Sequence, residues 1–213
     1  MRNRTENQIK LALIRHGATL FNQEHRYLGK TDTSLSEEGR AALQRAKCAG
    51  RYPAAAYVFA SPMKRCLETA EILYPEVQPI IIPQWREMDF GAFEGKNYLE
   101  LQKDERYQAW IDSSGTLPFP EGESREQFVE RCAEGMNRMR ELLSEKKNRQ
   151  LPEAVSLIVH GGTIMALLSS FCGGDYFTYQ VPNGGGYLGS LDLEGEKFQI
   201  TNIEKIGFCE AEV

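Results

Sequence analysis

The sequence predicts an α/β fold with a mainly parallel sheet, and three observations support this fold class. Short apolar runs typical of buried strands alternate along the chain with stretches whose apolar residues recur at helical spacing. The 213 residues are 41% hydrophobic and 26% charged, a balance that allows a globular protein to bury a sizeable core. The chain shows no internal repeat and no low-complexity segment. We therefore expect a single domain over residues 1–213.

The first elements follow from cap residues and apolar runs. The run "IKLALI" (9–14) predicts a buried strand. Ser36 precedes two glutamates, which is typical of a helix N-cap, so a helix is expected through about residue 50. "AYVFA" (56–60) predicts a second strand, and the Ser61-Pro62 pair after it predicts the cap of a helix over "MKRCLETAEIL".

A less regular stretch separates these elements from the second half of the chain. "VQPIII" (77–82) predicts a third strand, and residues 85–123 are rich in aromatic residues, Gly and Pro, which indicates a small lobe or insertion with short helices. Ser124 and Gln127 form a capping-box pattern. A long amphipathic helix is therefore expected from there to about residue 147.

The chain closes with three predicted strands and one helix. "AVSLIV" (154–159) predicts a strand that ends at "HGG", and "TIMALLSSF" predicts a buried helix after it. "GYLGSLDL" and "KFQITNIEKI" predict two closing strands.

Charge and cysteine usage narrow the class of protein. A net charge of −5 argues against a nucleic-acid partner, and no apolar stretch approaches the roughly 18 residues that span a bilayer, so no membrane partner is expected. The polar start "MRNRTENQIK" lacks the apolar segment of an export signal.

The five cysteines are scattered along the chain and show no C-x-x-C spacing; they are Cys48, Cys66, Cys132, Cys172 and Cys209. This pattern predicts reduced thiols and a soluble, cytoplasmic protein. The sequence carries no indication of oligomeric state.

Two strand ends present the same pattern of histidine followed by glycine. "LALIRHG" delivers His16 and "SLIVHGG" delivers His160, and the carboxyl ends of strands in open α/β sheets line the ligand crevice. A single histidine at a strand end is as readily a hydrogen-bonded structural residue. Two in matching contexts favour a functional site.

Two arginines are placed to reach the same edge of the sheet. Arg65 lies in the first turn of the helix after the second strand, and Arg15 ends a buried strand, where an unpaired cation is costly. Together with the two imidazoles and the amides at Gly161 and Gly162, these guanidiniums predict a cage of phosphate size.

Four motifs in this order, "RHGATLFN", "SPMKRCLETA", "REMDFGAFEG" and "VHGG", make the chain resemble the histidine phosphatase superfamily in its phosphoglycerate-mutase-like branch. The resemblance runs from residue 9 to about residue 190. It implies a three-layer α/β/α sandwich with the site at the carboxyl edge of the sheet. It also implies His16 as nucleophile and Glu87 as proton donor, with a phosphoryl-binding group made of Arg15, Asn22, Arg65 and His160.

The residue types suit phosphoryl transfer without a metal ion or another cofactor. Imidazole attacks phosphorus only when neutral, and the neighbouring charge of Arg15 opposes protonation of His16. Cations stabilise the charge on the transferred phosphoryl group. Glu87 must carry a proton in order to give it to the leaving oxygen, so we expect a raised pKa for its carboxyl group.

Residues beside these motifs are candidates for the site entrance and the leaving-group wall. Leu28 and Gly29, with Arg26, are expected to line the entrance, whereas His25 is expected in a loop. Six aromatic residues form either an apolar wall for the leaving group or ordinary packing of the lobe: Phe90, Phe93, Tyr98, Tyr107, Trp110 and Phe119.

The leading hypothesis is a metal-independent phosphomonoesterase that hydrolyses a small phosphorylated metabolite through a phosphohistidine. The motifs "EMDFGAFEG" and "FPEGES" resemble the α-ribazole phosphatase type most closely, which makes α-ribazole phosphate a candidate substrate. The alternatives are a bisphosphoglycerate-dependent phosphoglycerate mutase and a catalytically silent phosphate-binding module. At the positions where such mutases carry cations that hold the glycerate carboxylate, this chain has Tyr98, Ile111 and Asp112. None of these residues carries a positive charge, which favours hydrolysis.

Overall fold

The computed structural model describes residues 8–145, 152–192 and 199–207, and these contain a six-stranded mixed sheet. The strands follow the spatial order β3-β2-β4-β1-β5-β6. β3, β2, β4 and β1 pair in parallel, β5 is antiparallel to β1, and β6 is antiparallel to β5. The strands are β1 Gln8–Arg15, β2 Tyr57–Ala60, β3 Ile80–Ile81, β4 Ala154–Val159, β5 Gly186–Asp192 and β6 Gln199–Ile206.

Seven α-helices connect and cover these strands within the described residues. They are α1 Leu20–Gln23, α2 Glu37–Cys48, α3 Lys64–Leu73, α4 Tyr98–Leu101, α5 Glu105–Asp112, α6 Arg125–Glu145 and α7 Gly161–Phe171. Short 3₁₀ turns lie at Pro83–Trp85, Gly91–Phe93 and Tyr176–Tyr179. In this part of the chain no helix has both the length and the apolar character needed to cross a bilayer.

The alternation of side chains along β1 separates two hydrophobic layers. Leu11 and Leu13 pack in a cluster with residues of α6 and α7, whereas Ala12 and Ile14 pack in a second cluster with residues of α2 and α3. The central strand is therefore buried on both faces, as strands of parallel sheets are. The result is the expected α/β architecture with helices on both sides of the sheet.

Two of the three predicted helix caps are confirmed and the third is wrong. The Ser36 hydroxyl accepts from Gly39 N at 3.0 Å, and Ser124 and Gln127 form the reciprocal capping box. Ser61 does not cap α3, which begins two residues after Pro62 with Met63 at the N-cap position. The Ser61 hydroxyl contacts His160 instead, at 2.8 Å.

The predicted third strand over 77–82 is reduced to Ile80–Ile81. Pro79 has no N–H to give to a neighbouring strand, and Val77 N bonds to Tyr74 O in a turn, so pairing starts only after the proline. The expected end of the long helix near 147, the positions 193 and 197–198 of the closing strands, and Cys209 lie outside the described residues. In the stretch 85–123 the structure contains short helices, as expected from its composition.

Candidate active site

The ends of β1 and β4 bring the two histidines together. Arg15 and Val159 are register partners at the end of the parallel pair, and His16 N donates to Val159 O at 2.9 Å. His16 and His160 then follow directly after the ends of these two adjacent strands. Their ring centroids lie 5.2 Å apart at an interplanar angle of 68°.

His16 is held in a single tautomer. Its Nδ1 lies 2.7 Å from Gly17 O, and a carbonyl oxygen only accepts hydrogen bonds, so Nδ1 carries the proton and Nε2 keeps its lone pair. Burial, reinforced by the positive charges of Arg65 and Arg15, holds the pKa of His16 well below its usual value. The ring is therefore neutral at pH 7 and has a nucleophilic Nε2.

Arg65 is fully buried, and its guanidinium is fixed by main-chain and ring acceptors. Nη1 donates to Thr31 O and Nη2 to Gly29 O, each at 2.9 Å. Nε donates to His160 Nδ1 at 3.3 Å. The helix α3 and the loop after α1 thus fix a permanent cation beside the two histidines.

His160 takes the opposite tautomer from His16. Arg65 only donates, so Nδ1 of His160 accepts and Nε2 carries the proton, which it donates to the Ser61 hydroxyl. Burial, with the charge of Arg65, lowers the pKa of His160 well below its usual value. Both ring nitrogens have protein partners here, so a contact between His160 and a phosphoryl oxygen requires Nδ1 or Nε2 to exchange its partner.

Arg15 is the second cation of the site. Its Nη1 donates to Val181 O at 2.8 Å, whereas its buried Nε has no hydrogen-bond partner among the described residues. A buried unpaired donor costs about 1–3 kcal/mol, so a bound anion that accepts from it is favoured. A Cβ on Gly161 would lie 3.3 Å from this Nε, a tight contact, so the glycine leaves room for the guanidinium.

Asn22 presents its amide nitrogen because its oxygen is already occupied. Oδ1 accepts from Thr19 N and Thr19 Oγ1, and also from Asn183 Nδ2 at 3.2 Å. Thr19 caps α1 in the same reciprocal pattern. The Nδ2 group of Asn22 is thereby left as the donor, in a cavity of about 210 Å³ that Arg15 and His16 also line.

Glu87 also lines that cavity. Its Oε1 accepts from Met88 N at 2.9 Å and its Oε2 from Gly162 N at 3.4 Å. Burial raises the pKa of the carboxyl group; these amides and the charges of Arg65 and Arg15 oppose the rise without reversing it. A carboxyl group with a raised pKa, in the same cavity as a neutral imidazole, is suited to proton transfer.

Gly162, predicted for the phosphate cage, and Gly29, predicted for the entrance, both hold other side chains in place. Gly162 N is bonded to Glu87, and a Cβ at Gly162 would come within 2.5 Å of Glu87 Oε1. Gly29 N donates to the Glu94 carboxylate and Gly29 O accepts from Arg65, so both polar groups of Gly29 are bonded to protein atoms. Gly29 therefore supports Arg65 from the loop.

The remaining entrance residues differ in their placement. Leu28, His25 and Arg26 line the cavity that contains His16. His25 has a positive φ of 55°, as expected in a loop. Arg26 is tied to Glu24 at 2.5 Å and to Glu100 at 2.6 Å.

A larger cleft of about 680 Å³ opens from Arg15 and Glu87. Of the aromatic residues singled out in the sequence, Phe90, Trp110 and Phe119 line this cleft. Phe93 and Tyr107 pack in the core, and Tyr98 is exposed. Three of these six aromatic residues therefore lie where they could contact a leaving group, two serve ordinary packing, and Tyr98 does neither.

Several supporting residues were not identified from the sequence. Ser61 orients His160, and Thr69 Oγ1 accepts from Gly17 N at 3.0 Å. Asn183 Nδ2 holds Asn22 and also contacts His16 O at 3.2 Å. Ser61 directly follows the end of β2, and a polar residue at a strand end is a sequence signal for a site residue. The turn sequence around Asn183 gives no indication of the residue that Asn183 contacts.

In residues 8–145, 152–192 and 199–207, no three His, Cys, Asp or Glu side chains are grouped closely enough to hold a metal ion.

Known proteins with similar sequences include both mutases and phosphatases. The 2,3-bisphosphoglycerate-dependent phosphoglycerate mutase of Tropheryma whipplei is 30% identical, over 87% of this chain and 94% of its own length. The uncharacterized phosphatase PhoE of Bacillus subtilis is 27% identical, over 89% of this chain and 91% of its own length.

Solved structures agree with the fold. The α-ribazole phosphatase of Shigella flexneri aligns with a TM-score of 0.74 at 24% identity, over 91% of this chain and 95% of that one. The phosphoglycerate mutase of Thermus thermophilus aligns with a TM-score of 0.67 at 29% identity, over 94% of this chain and 100% of that one. The family model for the histidine phosphatase superfamily (branch 1) matches residues 11–205. This chain, with its paired histidines at the carboxyl ends of β1 and β4, therefore belongs to the histidine phosphatase superfamily.

Proposed function

We propose that the protein is a metal-independent phosphomonoesterase that works through a phosphohistidine on His16. The observation that carries this proposal is the hydrogen bond from His16 Nδ1 to Gly17 O, which leaves a neutral Nε2 in a cavity also lined by Arg15 and Glu87. Nucleophile, cation and acid thus share one small space. That combination is what transfer of a phosphoryl group to nitrogen requires.

In the first step His16 Nε2 forms a bond to phosphorus as the bond from phosphorus to the leaving oxygen breaks. Glu87 donates its proton to that oxygen, so the alcohol leaves neutral. The Arg15 guanidinium and the Asn22 amide nitrogen stabilise the negative charge on the transferred phosphoryl group. Arg65, held by main-chain acceptors, adds a fixed positive charge beside the reacting ring.

In the second step water attacks the phosphohistidine. The Glu87 carboxylate now takes a proton from this water, and His16 leaves as the neutral imidazole that its lowered pKa favours. Inorganic phosphate is released. The carboxyl group returns to its protonated state, which its raised pKa favours.

The substrate we propose is a small phosphorylated metabolite. The motifs "EMDFGAFEG" and "FPEGES" make α-ribazole phosphate the first compound to assay. The thiols of Cys48, Cys66, Cys132 and Cys172 are free, which is consistent with the cytoplasm as the place of this activity.

A second candidate function is phosphoglycerate mutase activity, favoured by the 30% identity to the Tropheryma whipplei enzyme. A mutase forms the same phosphohistidine as a phosphomonoesterase, so the two activities differ only in the molecule that accepts the phosphoryl group. A silent phosphate-binding module is disfavoured because every matched catalytic position holds the required residue type.

The test is a panel of phosphorylated metabolites assayed for phosphate release, together with chemical trapping of the phosphoenzyme. We expect release from at least one monoester and an acid-labile, alkali-stable phosphoryl group on His16, located by peptide mapping. Absence of both phosphoryl transfer to the protein and phosphate release would refute the proposal. Transfer of the phosphoryl group to phosphoglycerate without release of inorganic phosphate would favour the mutase activity.

A further inference from the structure

The cleft beside the phosphoryl site is far larger than a phosphoryl group needs. The cavity that contains His16 measures about 210 Å³, whereas the cleft that opens from Arg15 and Glu87 measures about 680 Å³. A volume of several hundred Å³ is usual for sites that enclose a drug-sized ligand. Because Glu87 lines both spaces, a leaving group that receives its proton has room to extend into the cleft.

Two sets of aromatic and aliphatic side chains from separate parts of the chain line this cleft. The stretch 85–123 contributes Phe90, Trp110 and Phe119, and the rings of Trp110 and Phe119 lie 4.8 Å apart. The segment after α7 contributes Tyr176 and Phe177. The rings of Phe90 and Phe119 also meet edge to face at 5.0 Å, so these side chains are packed before any ligand binds.

Arg125 braces the two sets. Its Nη2 donates to Gly115 O at 2.6 Å, in the loop that follows α5. Its Cζ lies 5.6 Å from the ring centroid of Tyr176 and 5.4 Å from that of Phe177. A cation over aromatic faces is attracted to them, so Arg125 links the loop after α5 to the segment after α7.

The side chains of the cleft offer little to a polyol. Among the described lining residues the charged groups are Arg15, Glu87, Arg125 and Lys205, and the neutral polar side chains are Gln180, Tyr27, Tyr176 and Trp110. The Tyr176 hydroxyl donates to Gly162 O at 3.3 Å, the Tyr27 hydroxyl is bonded to Tyr107, and the Nε1 group of Trp110 is buried. Arg15 and Glu87 serve the phosphoryl group, and Arg125 is engaged in bracing. A leaving group that is only a polyol would therefore meet mostly apolar side chains in this cleft.

We propose that the substrate of this site is a phosphomonoester whose leaving group carries a flat, mainly apolar ring system, bound between the two aromatic linings. The inference rests on the proposed phosphomonoesterase activity and specifies its substrate class. Burial of the rings supplies affinity that a small polyol phosphate lacks.

The test compares naphthylethyl phosphate with ethyl phosphate, because both leave as alkoxides and differ mainly in the ring system. We expect KM for the naphthyl compound to be lower by roughly thirtyfold, since burial of an aromatic ring contributes about 2 kcal/mol. Phe177→Ala and Leu117→Ala remove cleft side chains that are 44% and 48% exposed, so the fold should tolerate both. Each should raise KM for the naphthyl compound by about five- to tenfold and leave KM for ethyl phosphate within about twofold.

Leu99→Ala is the matched control, because Leu99 is 55% exposed and is not among the residues that line the cleft. It should change neither KM. Equal KM values for the two substrates, or cleft variants that behave like Leu99→Ala, would overturn the inference.

Binding to His16→Ala separates this inference from the proposed function. Calorimetry on this variant measures the affinity of both compounds without turnover. Preferential binding of the naphthyl compound, lost in Phe177→Ala, supports the inference even if the wild type proves unable to hydrolyse it. Hydrolysis by the wild type without any binding preference overturns the inference and leaves the phosphomonoesterase proposal standing.

Discussion

At the scale of single residues, the two site histidines are distinguished by their hydrogen-bond partners. Both are buried and have lowered pKa values. His16 gives its Nδ1 proton to Gly17 O, whereas the Nδ1 of His160 accepts from Arg65. Only His16 therefore presents a free Nε2 lone pair to the cavity. Its hydrogen bonds therefore suit His16 to the nucleophilic role that we propose for it.

We predict that His16→Ala lowers phosphatase turnover by several powers of ten while the unfolding transition stays cooperative. The alanine cannot form the covalent intermediate, and both nitrogens of His160 are already engaged. Phosphate release and circular dichroism measure the two properties. Asn22→Ala serves as comparison, because loss of one hydrogen bond of about 1–3 kcal/mol lowers turnover by only about 5- to 150-fold. Retention of a tenth of normal turnover by His16→Ala would show that the nucleophile lies elsewhere.

A second prediction concerns the pH profile of turnover. Glu87 acts as an acid only while protonated, so kcat for an alkyl phosphate should fall as pH rises through its raised pKa. His16 acts only while neutral, so the acid limb should lie well below 6.5, the usual imidazole value. Activity is therefore expected between these two limbs.

The variant Glu87→Gln should lose the alkaline limb and slow alkyl phosphates by about 10²–10⁴-fold. An activated aryl phosphate needs little protonation of its leaving oxygen and should slow much less. Steady-state profiles on both substrate types measure this difference. An equal loss on both would mean that Glu87 is not the general acid.

At the scale of secondary-structure elements, α6 holds the loop that carries Glu87. Arg131 Nη1 donates to Gln84 O at 2.6 Å and to Arg86 O at 2.9 Å, and Nη2 approaches Glu87 O at 3.5 Å. The same guanidinium is paired with the Glu123 carboxylate through Nε at 2.9 Å and Nη2 at 2.7 Å. Arg131 is thus a positioning residue for the proposed acid.

We predict that Arg131→Met lowers kcat about tenfold for alkyl phosphates and changes kcat for an activated aryl phosphate by less than about threefold. The alkaline limb should also shift, because the carboxyl group is no longer held beside Gly162 N. Arg138→Met on the exposed side of the same helix is the matched control. A uniform loss on both substrate types, with no change in the pH profile, would indicate a merely structural role.

The same helix anchors this loop by close packing. Trp85 is fully buried, its Nε1 donates to Cys132 O at 3.2 Å, and a Cβ on Gly135 would lie 2.2 Å from that nitrogen. The indole therefore occupies the space that the glycine leaves on α6. Helical periodicity predicted α6 and its apolar face, but the sequence contains no signal that this glycine faces a tryptophan about 50 positions earlier.

Gly135→Ala should destabilise the protein by about 1–3 kcal/mol, because the overpacking outweighs the better helix propensity of alanine. Chemical denaturation measures the free energy of unfolding. Ser144→Ala at an exposed position of α6 provides the control for propensity alone. A Gly135→Ala protein as stable as that control would mean that the indole can move away without cost.

At the scale of the whole molecule, periodicity and caps predicted the α/β class and most elements, because strand and helix patterns are local. Ser36 and Ser124 cap as expected for the same reason. Ser61 was misassigned, because its hydroxyl has a competing partner, His160, from a distant strand. Residues such as Asn183 and Arg131 act through main-chain groups far away in the chain, and a single sequence does not show which carbonyl a long polar side chain will reach.

The last prediction concerns which molecule accepts the phosphoryl group from His16. A mutase must hold the glycerate by its carboxylate while the phosphoryl group moves. Ile111 is exposed, and Asp112, at the end of α5, is exposed as well. Arg26, a cation that lines the cavity around His16, is already paired with Glu24 and Glu100, so a carboxylate would have to compete with two carboxylates for it.

We therefore expect water to be the acceptor. On incubation with 3-phosphoglycerate and trace 2,3-bisphosphoglycerate, released phosphate should exceed newly formed 2-phosphoglycerate. Coupled assays for both products, run on one sample, give the ratio. The double variant Glu24→Gln/Glu100→Gln frees Arg26 and should move the ratio toward 2-phosphoglycerate, because the guanidinium then becomes available to a carboxylate. Formation of 2-phosphoglycerate faster than phosphate release by the wild type would make the chain a mutase, and the apolar lining of the cleft would then need another explanation.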